Sequence, residues 1–154
     1  MIDNLTHILS ELGRNEEAVA LVTQAALAEG SPLAAANGGA GSVDSETTVI
    51  TDPISANTAL FVGNINGVGS GPMLFANGTP GSGLSYTFTA LGSLADDLDF
   101  SNDSEATWTY VPVPGADGCD PLVTNWRINP KGSFVGSATP PSPGFSVDFR
   151  VCVK

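Results

Sequence analysis

The stretch FSVDFRVCV near the end of the chain constrains the fold more than any other. Phe145, Val147, Phe149, Val151 and Val153 alternate there with Ser146, Asp148, Arg150 and Cys152. Successive side chains leave opposite faces of an extended strand, so this alternation predicts a sheet with one dry face and one wet face. The same texture recurs from Thr47 onward in TALFV, SYTFTAL, TWTYVPV and PLVTNWRIN. Turn-forming pairs fill the intervals: Asp52-Pro53, Asn66-Gly67, Asn77-Gly78, Pro80-Gly81 and Pro114-Gly115. Strands are expected near 47–51, 59–65, 72–76, 84–91, 97–101, 107–113, 122–129 and 145–153. Short strands at intervals of roughly 8–12 residues, separated by turn signals, are the signature of an all-β sandwich.

Composition supports a packed domain. The 18 glycines and 11 prolines would suggest disorder if hydrophobicity were low, but 42% of the chain is apolar, so they read as turn punctuation. Acids outnumber bases 16 to 5, for a net charge of −11. That balance argues against nucleic acid and anionic membranes as partners, since phosphate binding needs clustered Lys and Arg. No apolar run approaches the ~20 residues that a membrane-spanning helix requires. The opening MIDNLTHILSELGRNEE lacks the basic start of a signal peptide, so the chain is expected to be a mature or recombinant form, a fragment, or intracellular, and its composition favours the first two.

Residues 1–30 have a different character. Leu5, Ile8, Leu9 and Leu12 recur at helical spacing behind a candidate N-cap, Asp3, and Gly13 suits a stop. A second helix is expected from Asn15 through AVALVTQAALAE, ending at Gly30-Ser31-Pro32. The phrase LGRNEEAVALVTQAA resembles the turn and second helix of a tetratricopeptide unit, but one hairpin cannot bury its own apolar face. The helical segment is therefore expected to pack on the sandwich or on a neighbouring subunit, with Leu5, Ile8, Leu9, Leu12, Val19 and Val22 as the assembly residues. Residues 31–46, rich in Gly, Ala and Ser, form a linker or donor segment, and 47–154 form the sandwich domain.

The segments TDPISANTALFVGNI, GSGLSYTFTAL, DDLDFSNDSEATWTYVPVPGADG and WRINPKGSF…FSVDFRVCVK carry a resemblance. Over about residues 43–154 the chain resembles the C-terminal part of the conserved-repeat, Ig-like modules of large bacterial surface and secreted proteins, most specifically at SNDSEATWTYVPVP. The resemblance implies a mainly β, Ig-like antiparallel sandwich of about 7–8 strands, with structural, stalk or adhesion roles rather than chemistry. The long leading strands of such modules are replaced here by the helical segment and the linker. A missing strand leaves an unpaired sheet edge that must be covered by 31–46, by the helices, or by a strand from another copy. Head-to-tail strand donation between copies would build a filament.

Several constellations bear on function. Ser101–Trp108, SNDSEATW, approximates the hairpin pattern S-x-D-x-G-x-T-W, with Glu105 where glycine is expected. Ser101, Asp103 and Trp108 are then structural turn residues, and a single copy excludes a propeller. Asp96, Asp97, Asp99 and Asp103, with Glu105 and more distantly Asp117 and Asp120, offer hard oxygen ligands suited to calcium, though not in the EF-hand order. One histidine, His7, and two distant cysteines give no zinc spacing. If strands 122–129 and 145–153 pair antiparallel, one register sets Cys119 against Cys152, Trp126 against Phe145 and Asn125 against Ser146. A disulfide Cys119–Cys152 is therefore expected in an oxidising compartment, worth about 3–4 kcal/mol. Trp108 with Tyr110, and Tyr86 with Phe88, share parity and form either a sugar-stacking platform or core.

No nucleophile has a base beside it, and GVGSG and GTPGSG lack the Lys of a phosphate loop, so the chain is not expected to be an enzyme. The expectation is an extracellular or cell-surface structural subunit that self-assembles, as a homo-oligomer or filament, through protein–protein contacts. The alternative is a calcium-assisted module binding carbohydrate or a surface ligand.

Overall fold

A computed structural model describes Leu21–Val22 and residues 33–154. Regular structure among these residues is all strand: β1 (Leu21–Val22), β2 (Leu33–Ala36), β3 (Ile50–Pro53), β4 (Thr58–Phe61), β5 (Met73–Asn77), β6 (Leu98–Ser101), β7 (Cys119–Asp120), β8 (Asn125–Ile128), β9 (Gly144–Phe149) and β10 (Val151–Val153). They form three sheets, ordered β1-β2-β9-β5, β10-β4-β7 and β3-β8-β6. The pairs β1–β2, β2–β9, β3–β8, β6–β8, β4–β7 and β4–β10 are all antiparallel. No helix among the described residues is long and apolar enough to cross a membrane.

The chain gathers into two compact units. Of the described residues, the first takes in Leu21–Val22 and 33–49 with Phe75–Tyr86 and Asn129–Asp148. Its core holds Leu33, Ala35, Val43, Leu84, Phe134, Phe145 and Val147. Phe145 organises the aromatic part, with ring centroids 4.9 Å from Phe75 and 5.4 Å from Phe134. β2 comes from the segment read as linker or donor, and its alternating burial puts Leu33 and Ala35 inward. Leu33 pairs with Val147 and Ala35 with Phe145, so the inward faces of β2 and β9 agree. β2 and β9 approach closely enough that Gly144 admits no side chain: a Cβ there would lie 2.5 Å from the Ala35 carbonyl oxygen.

The second unit comprises Ile50–Leu74, Thr87–Ile128 and Phe149–Lys154. Ile50, Leu60, Met73, Leu98, Phe100, Trp126 and Ile128 are buried at its centre. β8 is the middle strand of its sheet, pairing Trp126 with Asp52 on one side and with Phe100 on the other. The Trp126 ring meets Phe149 edge-on at 5.2 Å, an arrangement aromatic quadrupoles favour.

Several expectations need correction. The hairpin of 122–129 with 145–153 does not form: β8 pairs with β3 and β6, while β9 pairs with β2 and lies beside β5. The long C-terminal strand breaks at Arg150 into β9 and β10. Beyond the break the faces invert, with Val151 and Val153 exposed and Cys152 half-buried. Segments 84–91 and 107–113 hold no strand beyond a single bridge of Ser85 to Lys131. Leu21–Val22 is a strand where a helix was expected, because β2 offers its outer edge to it. The rest of the helical expectation, with Leu5, Ile8, Leu9, Leu12 and Val19, lies outside the described residues.

Candidate functional site

A dense set of polar contacts in the second unit closes the turn after β6. Ser101 Oγ donates to Asp103 Oδ1 at 2.7 Å and accepts from the Glu105 amide at 3.0 Å. Asp103 then accepts from the Thr107 amide at 2.9 Å and from the Thr107 hydroxyl at 2.7 Å. These bonds, led by the Thr107 amide and followed by the Ser101 and Thr107 hydroxyls, hold the Asp103 carboxyl below its ordinary pKa. Ser104 and Glu105 sit at φ 57° and 73°, left-handed values that favour glycine. Glu105 stands at the glycine position of the motif, and its Oε1 accepts from Asn125 Nδ2 of β8 at 2.8 Å. Ser101 and Asp103 thus supply the side-chain bonds of this turn.

Trp108 follows the turn, and the Arg127 guanidinium lies 4.6 Å from its ring centroid. Arg127 Nε also donates to Asp99 Oδ2 at 2.9 Å. Ion pair and cation–π contact are both partly exposed, and each is worth at most about 1 kcal/mol. A groove of about 130 Å³ runs alongside, lined by Leu94, Leu98, Phe100, Trp108, Tyr110 and Val111 among others. Three of the four aromatic groups expected to offer a stacking platform have internal partners. Arg127 occupies one face of Trp108, Tyr110 donates its hydroxyl to Asp120 Oδ2 at 2.8 Å, and Tyr86 stacks on Phe75 at 5.9 Å. Burial, then the bond to Asp120, pushes the Tyr110 pKa up to about 12.

The aspartates proposed as calcium ligands are spread over separate tasks. Asp96 Oδ2 accepts from the amides of Thr89 at 2.7 Å and Ala90 at 3.2 Å. Buried Asp97 accepts from the Thr87 amide at 2.7 Å. Asp99 pairs with Arg127, and Asp103 serves its own turn. Among the described residues these four carboxylates do not gather into a metal-sized cluster. Asp120 is likewise buried, accepting from the Val113 amide at 2.7 Å and the Leu122 amide at 2.8 Å. The carboxylates thus take several backbone donors of 84–91 and 107–113 that a neighbouring strand would otherwise take.

A disulfide joins Cys119 of β7 to Cys152 of β10, with Cα atoms 6.3 Å apart. β4 lies between these two strands, pairing Phe61 with Cys119 and Ala59 with Cys152. In a flat sheet two strands flanking a third are roughly 9–10 Å apart, so this sheet is curled around β4. Gly118, at φ 79°, turns the chain into β7, and a Cβ there would meet the Phe61 ring at 2.6 Å. The Gly115–Gly118 turn is closed by Gly118 N to Gly115 O at 3.0 Å and by Gly115 N to Cys119 O at 2.9 Å. Asp117 Oδ1 accepts from the Cys119 amide at 3.0 Å, bringing its carboxylate to the sulfurs. That proximity was missed in the sequence, where Asp117 was considered only with the other acids.

No protein-family model, no curated protein and no solved structure matches the chain.

Proposed function

We propose that the chain is an extracellular or surface-displayed structural subunit, an Ig-like sandwich that assembles through protein–protein contacts. Strand complementation between copies is the joining device. The observation that carries this reading is β2. A four-residue strand from the segment preceding the sandwich closes the edge of β9 and buries Leu33 and Ala35. A strand supplied from outside the body of a sheet is the element that strand-addition assembly exchanges between copies. The Gly/Ala/Ser-rich stretch that follows it can span to a neighbour once released. Three further observations support the reading: the disulfide suits an oxidising compartment, the net charge of −11 suits neither nucleic acid nor anionic membrane, and SNDSEATWTYVPVP resembles bacterial surface modules.

The test is sedimentation velocity and negative-stain electron microscopy of the full chain at rising concentration, beside Leu33→Asp. The expected result is concentration-dependent oligomers or filaments from the parent chain, lost in the variant. Monomers from the parent at every concentration would refute strand exchange as its function.

A further inference from the structure

We propose that Asp117, Cys119 and Cys152 form a redox-gated site for a thiophilic divalent cation such as zinc, closed while the sulfurs are bonded and opened by reduction. The ligand atoms of the three residues lie within 4.8 Å of one another. No other group of three or more His, Cys, Asp or Glu among the described residues gathers in this way. Two thiolates on a tetrahedral zinc, each at about 2.3 Å, sit about 3.8 Å apart. A Cα separation of 6.3 Å reaches that spacing by side-chain rotation alone.

The scaffold is prepared for a third ligand. The closed Gly115–Gly118 turn fixes Asp117 over Cys119, and the Cys119 amide orients its carboxylate, as outer hydrogen bonds orient metal ligands generally. Cys119 is buried, Cys152 half-buried and Asp117 exposed, so one side of the site faces solvent. A water completes the tetrahedron from that side. Two sulfurs and one carboxylate select zinc or cadmium over calcium, and the −11 charge of the chain favours a cation.

The chemistry balances as follows. An external dithiol reduces the S–S bond, yielding two protein thiols and becoming a cyclic disulfide itself. The cation then binds both sulfurs as thiolates and releases their two protons, with the Asp117 carboxylate as the third ligand. Thiol–disulfide exchange with an external disulfide, which is itself reduced to two thiols, re-forms the S–S bond, removes two of the three protein ligands and expels the metal.

The experiment uses the full chain, reduced and freed of reductant under anaerobic conditions, and titrated with cadmium while thiolate-to-metal absorption is followed. Zinc competition and proton release in weak buffer are measured in parallel. The expected result is one metal per chain, about two protons released, no binding to the oxidised chain, and a dissociation constant raised at least about 10-fold in Asp117→Asn. Circular dichroism with and without zinc reports whether the reduced chain is folded. Equal affinity in Asp117→Asn, one metal shared by two chains, or a reduced chain that stays unfolded with zinc present would each overturn the proposal.

Discussion

Replacing Asn37 tests how the segment after β2 is held. Asn37 is fully buried, and its Nδ2 donates to Phe134 O and to Gly41 O, each at 3.1 Å, while its Oδ1 accepts from the Gly39 amide at 3.1 Å. Asn37→Ala removes all three bonds. The Phe134 carbonyl keeps a second donor, the Val43 amide at 2.9 Å, and the Gly39 and Gly41 groups are only partly buried. None is left wholly orphaned, so each loss is nearer 1 kcal/mol than the full desolvation penalty, and the sum is about 2–3 kcal/mol. That corresponds to a fall in Tm of roughly 4–12 °C for a chain of this size. Asn37→Asp keeps the acceptor for Gly39 but turns a second oxygen toward two carbonyls, so it is destabilised further at neutral pH. Burial against carbonyls raises the folded pKa of the new carboxyl. Protonation then favours the folded state, and the variant regains stability as pH falls through that pKa, the protonated carboxyl donating to one carbonyl. Urea denaturation of the three proteins at pH 7, and of Asn37→Asp at lower pH, reads these effects. An alanine variant within about 0.5 kcal/mol of the parent, or an aspartate variant that gains nothing on acidification, would refute the reasoning.

The left-handed turn and Tyr110 supply the remaining predictions. Glu105→Gly relieves a positive φ but gives up the bond from Asn125, so its stability stays within about 1 kcal/mol of the parent. Glu105→Ala loses the same bond and keeps the strained backbone, and denaturant titration should place it about 1 kcal/mol below the glycine variant. The Tyr110 hydroxyl holds its proton more tightly when folded, up to a pKa of about 12. Its contribution is therefore complete below the unfolded value of about 10 and disappears as pH rises through the folded one. Tyr110→Phe, about 1 kcal/mol less stable at pH 7, should lose less than the parent between those limits in alkaline unfolding experiments.

Much of the sheet structure was legible because β-branched and aromatic residues alternate between turn pairs. β3, β4, β5, β6 and β8 each overlap an expected window. β2 was hidden because LAAA has nothing of a strand in its composition. Its extended state comes from the partner edge of β9, the tertiary context that propensity cannot register. The alternation at 84–91 and 107–113 is present in the sequence, yet several backbone donors there go to Asp97, Asp96, Asp103 and Asp120. Which acceptor an amide finds is a long-range matter that a period of two does not encode. The nine-residue alternation at the end likewise conceals the break at Arg150, whose carbonyl accepts from Phe61 of β4 at 2.9 Å. The cysteine pair was identified through a hairpin that does not exist; the pairing is made instead by β4, which takes one cysteine-bearing strand on each side.

The position of that bond also sets a load path. Tension entering through β10 reaches Cys152 and crosses the sulfurs to Cys119, bypassing a sequence separation of 33 residues. Covalent shortening removes roughly 110 Å of contour from what pulling could extend. The segment between the cysteines, which carries β8 and β9, then cannot be drawn out by a pull from that end, even where its hydrogen bonds to β2, β3 and β6 break.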